Sequence, residues 1–204
     1  MAQPVRRIGL LGGSFDPIHR AHLALAEAAR EAFALDEVRL MPCAQQALKS
    51  RRATPVEARC AMLRLALAGH PHLTLDLREC YPAGPIYTVD TLRALRAAEP
   101  NADFWFILGM DSVVSFPKWH HPAELLTLCH FIAFDRPGIE PPARPFSPTL
   151  LAHRLQGPLL DLSSTDLRAA LAAGELPPDA LPPAILPYLR AHPELYASLA
   201  PTSK

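Results

Sequence analysis

The chain has 204 residues, half of them hydrophobic and a fifth charged, the balance of an ordinary globular protein long enough to enclose a core. Lys plus Arg and Asp plus Glu number 20 each, so net charge gives no support for a nucleic-acid partner. No apolar run reaches membrane-spanning length, no signal peptide is evident, and Cys43, Cys60, Cys80 and Cys129 form no CxxC pair, which together predict reduced thiols in a cytoplasmic protein.

In chain order, Ile8-Gly9-Leu10-Leu11 reads as a buried first strand, and Leu23 to Phe33, rich in Ala, Leu and Glu, as a helix. Between them lies Gly12-Gly13-Ser14-Phe15-Asp16-Pro17-Ile18-His19-Arg20-Ala21-His22. A strand-to-helix junction of this kind suits phosphate. Paired glycines let backbone N–H groups come close to an anion, and the helix N-terminus adds partial positive charge. His19 and His22, three residues apart, can face the same phosphate. The alternative is a Gly-rich turn with two surface histidines; the joint occurrence of Gly-Gly, Asp-Pro and His-x-x-His favours phosphate. Asp16 beside a phosphate is repelled as a base and more reasonably fixes the turn.

Glu37 to Met41 reads as a second strand ending at Pro42, and Lys49, Arg51 and Arg52 cluster in a loop. At Thr54-Pro55-Val56-Glu57 a helix start is predicted, with Thr54 as cap, Pro55 in the first position and Glu57 completing a capping box. That helix runs to about Ala68, with Gly69 as its stop. Alternating Leu73, Leu75 and Leu77 predict a strand covered on one face. Thr88 to Ala98 reads as a helix. Phe104 to Leu108 and Phe131 to Phe134 are continuous apolar runs, as in strands buried on both faces. Pro137, Pro141, Pro142, Pro145 and Pro148 predict a long surface connection. Leu159 to Leu162 reads as a short strand, followed by a helix from Ser164 to Ala173 stopped by Gly174. Ile185 to Arg190 and Glu194 to Leu199 read as short helices.

This order predicts an α/β fold, a doubly wound parallel sheet with helices on both faces and a small C-terminal helical part over about 164–204, all in one domain spanning 1–204. In such sheets ligands bind beyond the carboxyl ends of the strands. The polar motifs obey that rule: Gly12 to His22 after the first strand, Gly109 to Asp111 after the Phe104 run, Arg136 after the Phe131 run, and Ser163 to Arg168 after the Leu159 run. Ser163, Ser164 and Thr165 can simply cap a helix, while Arg168, one turn on, can reach an anion held there. Trp119 can stack on a flat heterocycle or anchor its loop. Asp111 can accept from ribose hydroxyls or cap the helix that it opens. Lys49 can meet a phosphate or remain solvated. The remaining histidines form no metal-ligand grouping, and no metal site is expected.

The run from Gly13 to His22 resembles the nucleotidyltransferase superfamily signature, a Gly-[ST]-Phe-Asp-Pro turn followed by [HT]-x-Gly-His, and His at position 19 is similar to the nicotinate mononucleotide adenylyltransferases. Further segments resemble that family in order: Tyr87 to Leu92, Gly109 to Ser112 with Phe116 to Trp119, Asp135 to Gly138, and Ser163 to Arg168. The resemblance implies a Rossmann-like enzyme of NAD biosynthesis that joins ATP and nicotinate mononucleotide into deamido-NAD and pyrophosphate. It implies that His19 and His22 act on the transferring phosphate. ATP would be bound by Gly12, Gly13, Ser14, Phe15, Ser163, Ser164, Thr165 and Arg168, and the acceptor by Lys49, Thr88, Gly109, Asp111, Trp119 and Arg136. Mg²⁺ would travel with ATP. Three positions depart from the pattern: Ala21 for Gly, Leu48 for His and Ile86 for Ser. The rivals are transfer of AMP or CMP to another phosphorylated acceptor such as phosphopantetheine, a fragment of a class I aminoacyl-tRNA synthetase, and a non-catalytic nucleotide-binding protein. His19 stands against phosphopantetheine, and His19, His22 and Arg168 against loss of catalysis. Oligomeric state is not readable.

Overall fold

The computed structural model describes residues 4–44, 53–82, 84–156 and 162–197. Its centre is a six-stranded parallel sheet: β1 (Arg7–Gly13), β2 (Glu37–Pro42), β3 (Leu73–Leu75), β4 (Asp103–Gly109), β5 (His130–Phe134) and β6 (Arg154–Leu155). The spatial order is β3-β2-β1-β4-β5-β6. Leu10 of β1 pairs with Arg39 on one side and Phe106 on the other, so the chain reverses its winding direction between β1 and β4. That reversal opens a crevice at the carboxyl ends of these two strands, the usual ligand position in doubly wound sheets.

The strands are apolar on both faces because both are covered. Along β4, Phe104, Phe106 and Leu108 enter one core while Trp105 and Ile107 enter the other. The first core packs against α3 (Thr88–Ala98), α4 (Met110–Ser115) and α5 (Pro122–Leu128). The second packs against α1 (Arg20–Ala32), α2 (Val56–Leu67), α6 (Ser164–Ala172), α7 (Leu186–Ala191) and α8 (Glu194–Ala197). Gly9 is demanded by this packing: a Cβ there would lie 2.9 Å from both Leu35 and Val38. The expected α/β class, the strands at 8–11, 37–41, 104–108 and 131–134 and the helix at 88–98 are all present.

Several boundaries differ from expectation, each for a local reason. Helix α1 starts at Arg20, three residues early, because His19 takes the N-cap position. At α2 the expected capping box is absent: Pro55 is the N-cap, no side chain caps it, and the Thr54 amide donates to Asp16 Oδ2 at 3.3 Å. Gly69 follows the C-cap Ala68 without adopting a left-handed conformation. Strand β3 ends at Leu75, and Leu77 instead starts a turn closed by the Cys80 amide. The proline-rich connection ends in a 3₁₀ turn at Pro148–Leu151, and the edge strand β6 follows it, too short to register as an apolar run. Of the strand expected at 159–162, residues 159–161 lie outside the described residues, and Leu162 is not in a strand. Gly174 does end α6, with φ of 81°.

Candidate active site

A cleft of about 760 Å³ opens at the carboxyl ends of β1, β4 and β5. Its volume suits a ligand of nucleotide size. One wall is the turn after β1 with the first turn of α1. Gly12, Gly13, Ser14, His19, Ala21 and His22 all line it. The N-terminal end of α6 closes the same end of the cleft with Ser163, Ser164, Thr165 and Arg168. Across the cleft stand Thr88 at the start of α3, Gly109 and Asp111 at the start of α4, Trp119 after it, and Arg136 after β5.

The two histidines are held by each other and by their neighbours. His19 is buried, and its Nε2 lies 3.1 Å from Ser164 Oγ. The His19 amide donates to His22 Nδ1 at 3.3 Å, and the two rings stack with centroids 3.6 Å apart. Because Nδ1 of His22 accepts, the neutral ring carries its proton on Nε2, making that nitrogen a donor. Burial and, after it, the positive charge of Arg136 together lower the His19 pKa to about 4. His22 is also held well below the usual imidazole range, first by burial, then by His19 and Arg136. Both rings are therefore neutral donors at physiological pH, in a cleft whose potential Arg136 makes positive.

The turn itself is fixed from below. Asp16 is buried, its Oδ2 accepts from the Thr54 amide, and its carbonyl accepts from Arg168 Nη1 at 2.9 Å. This agrees with a role in shaping the turn. Arg168 Nη2 also donates to Thr165 Oγ1 at 3.0 Å, so Arg168 joins the start of α6 to the turn after β1. Ser163 caps α6 by accepting from the Thr165 amide at 3.2 Å.

The side chain of Phe15, expected at the ATP site, is buried and does not line the cleft, which leaves its backbone as the part near the turn's ligand face; the ring packs edge-on to His22 with centroids 5.0 Å apart. Its φ of 47° puts a bulky residue in the left-handed region, which turns the ring inward beneath the histidine. Lys49 lies outside the described residues, as do Leu48, Arg51 and Arg52. The other expected positions come together in the one cleft.

On the far wall a Cβ at Gly109 would lie 2.6 Å from Asp111 Oδ1, so the glycine leaves room for that half-exposed carboxylate to fold back over the start of α4. Asp111 meets Arg136 at 3.5 Å, with both side chains half exposed. Trp119 leans on Phe116 and Phe106, with centroids 5.3 and 6.1 Å away. The ring of His120 stacks on Tyr87 at 4.2 Å. His120, Tyr87 and Glu79 line the cleft without having been assigned roles. Adjacency to Trp119 and Thr88 could have flagged the first two. Nothing local marks Glu79, whose carboxyl accepts from Thr91 Oγ1 at 2.7 Å and is pushed upward in pKa by burial. Ile86, one of the three departures, also faces the cleft.

Among the described residues, no group of three His, Cys, Asp or Glu side chains could hold a metal ion, and no helix is long and apolar enough to cross a membrane. The four thiols are not joined in disulfides, although the sulfurs of Cys60 and Cys80 approach to 3.5 Å.

Residues 10–170 match the cytidylyltransferase-like family. A protein of Herpetosiphon aurantiacus named "Probable nicotinate-nucleotide adenylyltransferase" is 40% identical over 197 residues, covering 94% of this chain and 99% of its own. One of the same name from Methylibium petroleiphilum is 39% identical, with coverage of 96% and 95%. The chain belongs to the nicotinate-nucleotide adenylyltransferases of the cytidylyltransferase-like family. The fold agrees with that placement. Plasmodium falciparum nicotinic acid mononucleotide adenylyltransferase, solved in complex with NaAD, superposes with a TM-score of 0.72 at 21% identity, covering 94% of this chain and 98% of that one. Ala21 and Ile86, two of the three departures from the pattern that the sequence resembles, both line the cleft.

Proposed function

We propose that the cleft binds ATP and nicotinate mononucleotide and transfers the adenylyl group between them, forming deamido-NAD and pyrophosphate in NAD biosynthesis. The observation that carries this reading is the pair of neutral, stacked imidazoles at the start of α1, one of them bonded directly to the start of α6. In the reaction an oxygen of the acceptor phosphate forms a bond to the α-phosphorus of ATP. The bond from that phosphorus to the bridging oxygen breaks in line, and the electron pair leaves with pyrophosphate. Charge grows on the phosphoryl oxygens, and no protein nucleophile is required.

Each side chain then has a positional task. His22 Nε2–H donates to the transferring phosphate, and His19 shares that phosphate with Ser164. Gly12, Gly13 and Ser14 supply close backbone at the same point. Ser163, Thr165 and Arg168, at the start of α6, receive the outer phosphates of ATP. Mg²⁺ arrives with those phosphates as part of the substrate; the wall there presents imidazole, hydroxyl and guanidinium groups, not a carboxylate cage. Trp119 and the Thr88 backbone take the pyridine ring, Asp111 and Gly109 the ribose, and Arg136 and Lys49 the acceptor phosphate. The protein works in the cytoplasm as one domain spanning the chain, with no nucleic-acid or membrane partner.

The test is pyrophosphate release from ATP with a panel of acceptors: nicotinate mononucleotide, nicotinamide mononucleotide and phosphopantetheine. Release coupled to deamido-NAD formation is expected with the first. Release with phosphopantetheine alone would overturn the acceptor and spare the adenylyl transfer; no release with any would overturn both.

A further inference from the structure

Arg59 stands in the first turn of α2, outside the cleft, and its side chain is fully buried. Nothing in the sequence singles it out, since an arginine on a helix ordinarily reads as a solvated face. Its guanidinium reaches three segments at once. Nε donates to the Thr54 carbonyl at 2.9 Å, Nη1 to the Ser14 carbonyl at 2.5 Å, and Nη2 to the Ala44 carbonyl at 3.1 Å. Ser14 belongs to the turn after β1 that lines the cleft, and Ala44 follows Cys43, which also lines it. Thr54 is the residue whose amide holds Asp16.

This placement is costly for stability alone. A cation in the first turn of a helix opposes the helix dipole. Burying it strips its water, and a well-packed apolar side chain of the same size commonly serves stability as well or better. What only arginine supplies is a planar fork whose separate nitrogens bond separate acceptors in fixed directions. Lysine has one nitrogen, which cannot span three segments in that geometry.

We propose that Arg59 is a positioning residue for adenylyl transfer: it clamps the phosphate turn at Ser14 and the loop after β2 at Ala44 to one helix, setting the distance between the two sides of the reacting phosphate. The proposal rests on the adenylyl-transfer reading. The clamp acts on the transferring phosphate, while the outer phosphates of ATP sit at α6, so its loss appears in kcat more than in KM for ATP. Misplacement of reacting groups by about an ångström can cost on the order of 100-fold in rate.

The experiment compares the wild-type chain with Arg59→Lys and Arg59→Met. Steady-state kinetics are combined with backbone amide exchange at residues 13–15 and 43–44. Expected are faster exchange at both segments with β4 unchanged, and a kcat lowered by about 10- to 100-fold with KM for ATP nearly constant. Arg59→Ala supplied with methylguanidinium is the second arm, and recovery of kcat is expected there. Folded variants with wild-type kcat would overturn the proposal, as would recovery of thermal stability without kcat. Unchanged exchange in Arg59→Lys would overturn it whatever the activity, because that readout needs no turnover. A wild-type chain that releases no pyrophosphate would instead strike the adenylyl-transfer reading, leaving exchange to decide the clamp.

Discussion

Where the turn after β1 meets α6, His19, His22, Asp16, Ser164 and Arg168 are held by directional hydrogen bonds to their neighbours. On the opposite wall Tyr87, His120 and Trp119 are held by ring contacts, and Asp111 and Arg136 by an ion pair open to solvent. Hydrogen bonds fix direction and distance, whereas ring contacts tolerate sliding and tilting, and an exposed ion pair contributes little. On the proposed reading the difference puts the chemistry on the braced wall and leaves the wall proposed for the acceptor free to adapt to its ring.

The largest expected effect breaks this contrast most sharply. Replacing His22 with Ala should cut kcat by on the order of 100-fold or more, the usual worth of one preorganised donor, with the fold retained. Trp119→Ala should raise KM for the acceptor while kcat stays within a few-fold. A folded His22→Ala variant with near-normal kcat would remove the distinction between the walls.

Arg168→Ala should come next. On the proposed reading Arg168 receives the outer phosphates, which ground and transition states share, so steady-state kinetics should show KM for ATP rising about tenfold with a smaller fall in kcat. A rise confined to KM for the mononucleotide would mean that the substrates occupy the opposite ends.

Most of the braced wall was legible in the sequence because its residues are contiguous. Gly12 to His22 and Ser163 to Arg168 are short runs whose chemistry and position agree, at the carboxyl ends of strands recognisable as apolar runs. The inward turn of the Phe15 ring is not legible in the sequence, because it accompanies a left-handed φ that no residue pattern displays. Arg59 and Glu79 were invisible because their meaning lies in contacts made over 45 residues, to Ser14, and over 12, to Thr91. Strand β6 has two residues, too few to show a period.

Acid should weaken the braced wall before the rest. His19 has a folded pKa of about 4 against an unfolded value near 6.5, so between those values the unfolded chain binds a proton that the folded one refuses. Its contribution is constant above about pH 6.5, and stability is lost as pH falls from there toward 4. The loss approaches roughly 3 kcal/mol. Denaturant melts of wild type and His19→Gln across that range measure it: the two curves should converge at low pH. Parallel curves would contradict the assignment.

The smallest effect lies on the adaptable wall. Ile86 puts an aliphatic side chain where the pattern that the sequence resembles has Ser, and it faces the cleft. Discrimination of the acid from the amide mononucleotide depends on donors aimed at the ring carboxylate. The preference for the acid should therefore persist but be small, and Ile86→Ser should increase it by a few-fold in kcat/KM, about 1 kcal/mol. No change would place the discrimination wholly in the backbone around Thr88.

The two imidazoles of the braced wall are neutral and oriented before substrate arrives, and that is directly measurable. Nitrogen-detected NMR titration of the free enzyme, with His19 and His22 assigned by substitution, reads both charge and tautomer. His22 should be protonated on Nε2 alone at pH 7 and stay neutral well below pH 6.5, with His19 titrating near 4. Midpoints near 6.5 for both rings, or a His22 ring protonated on Nδ1, would contradict this.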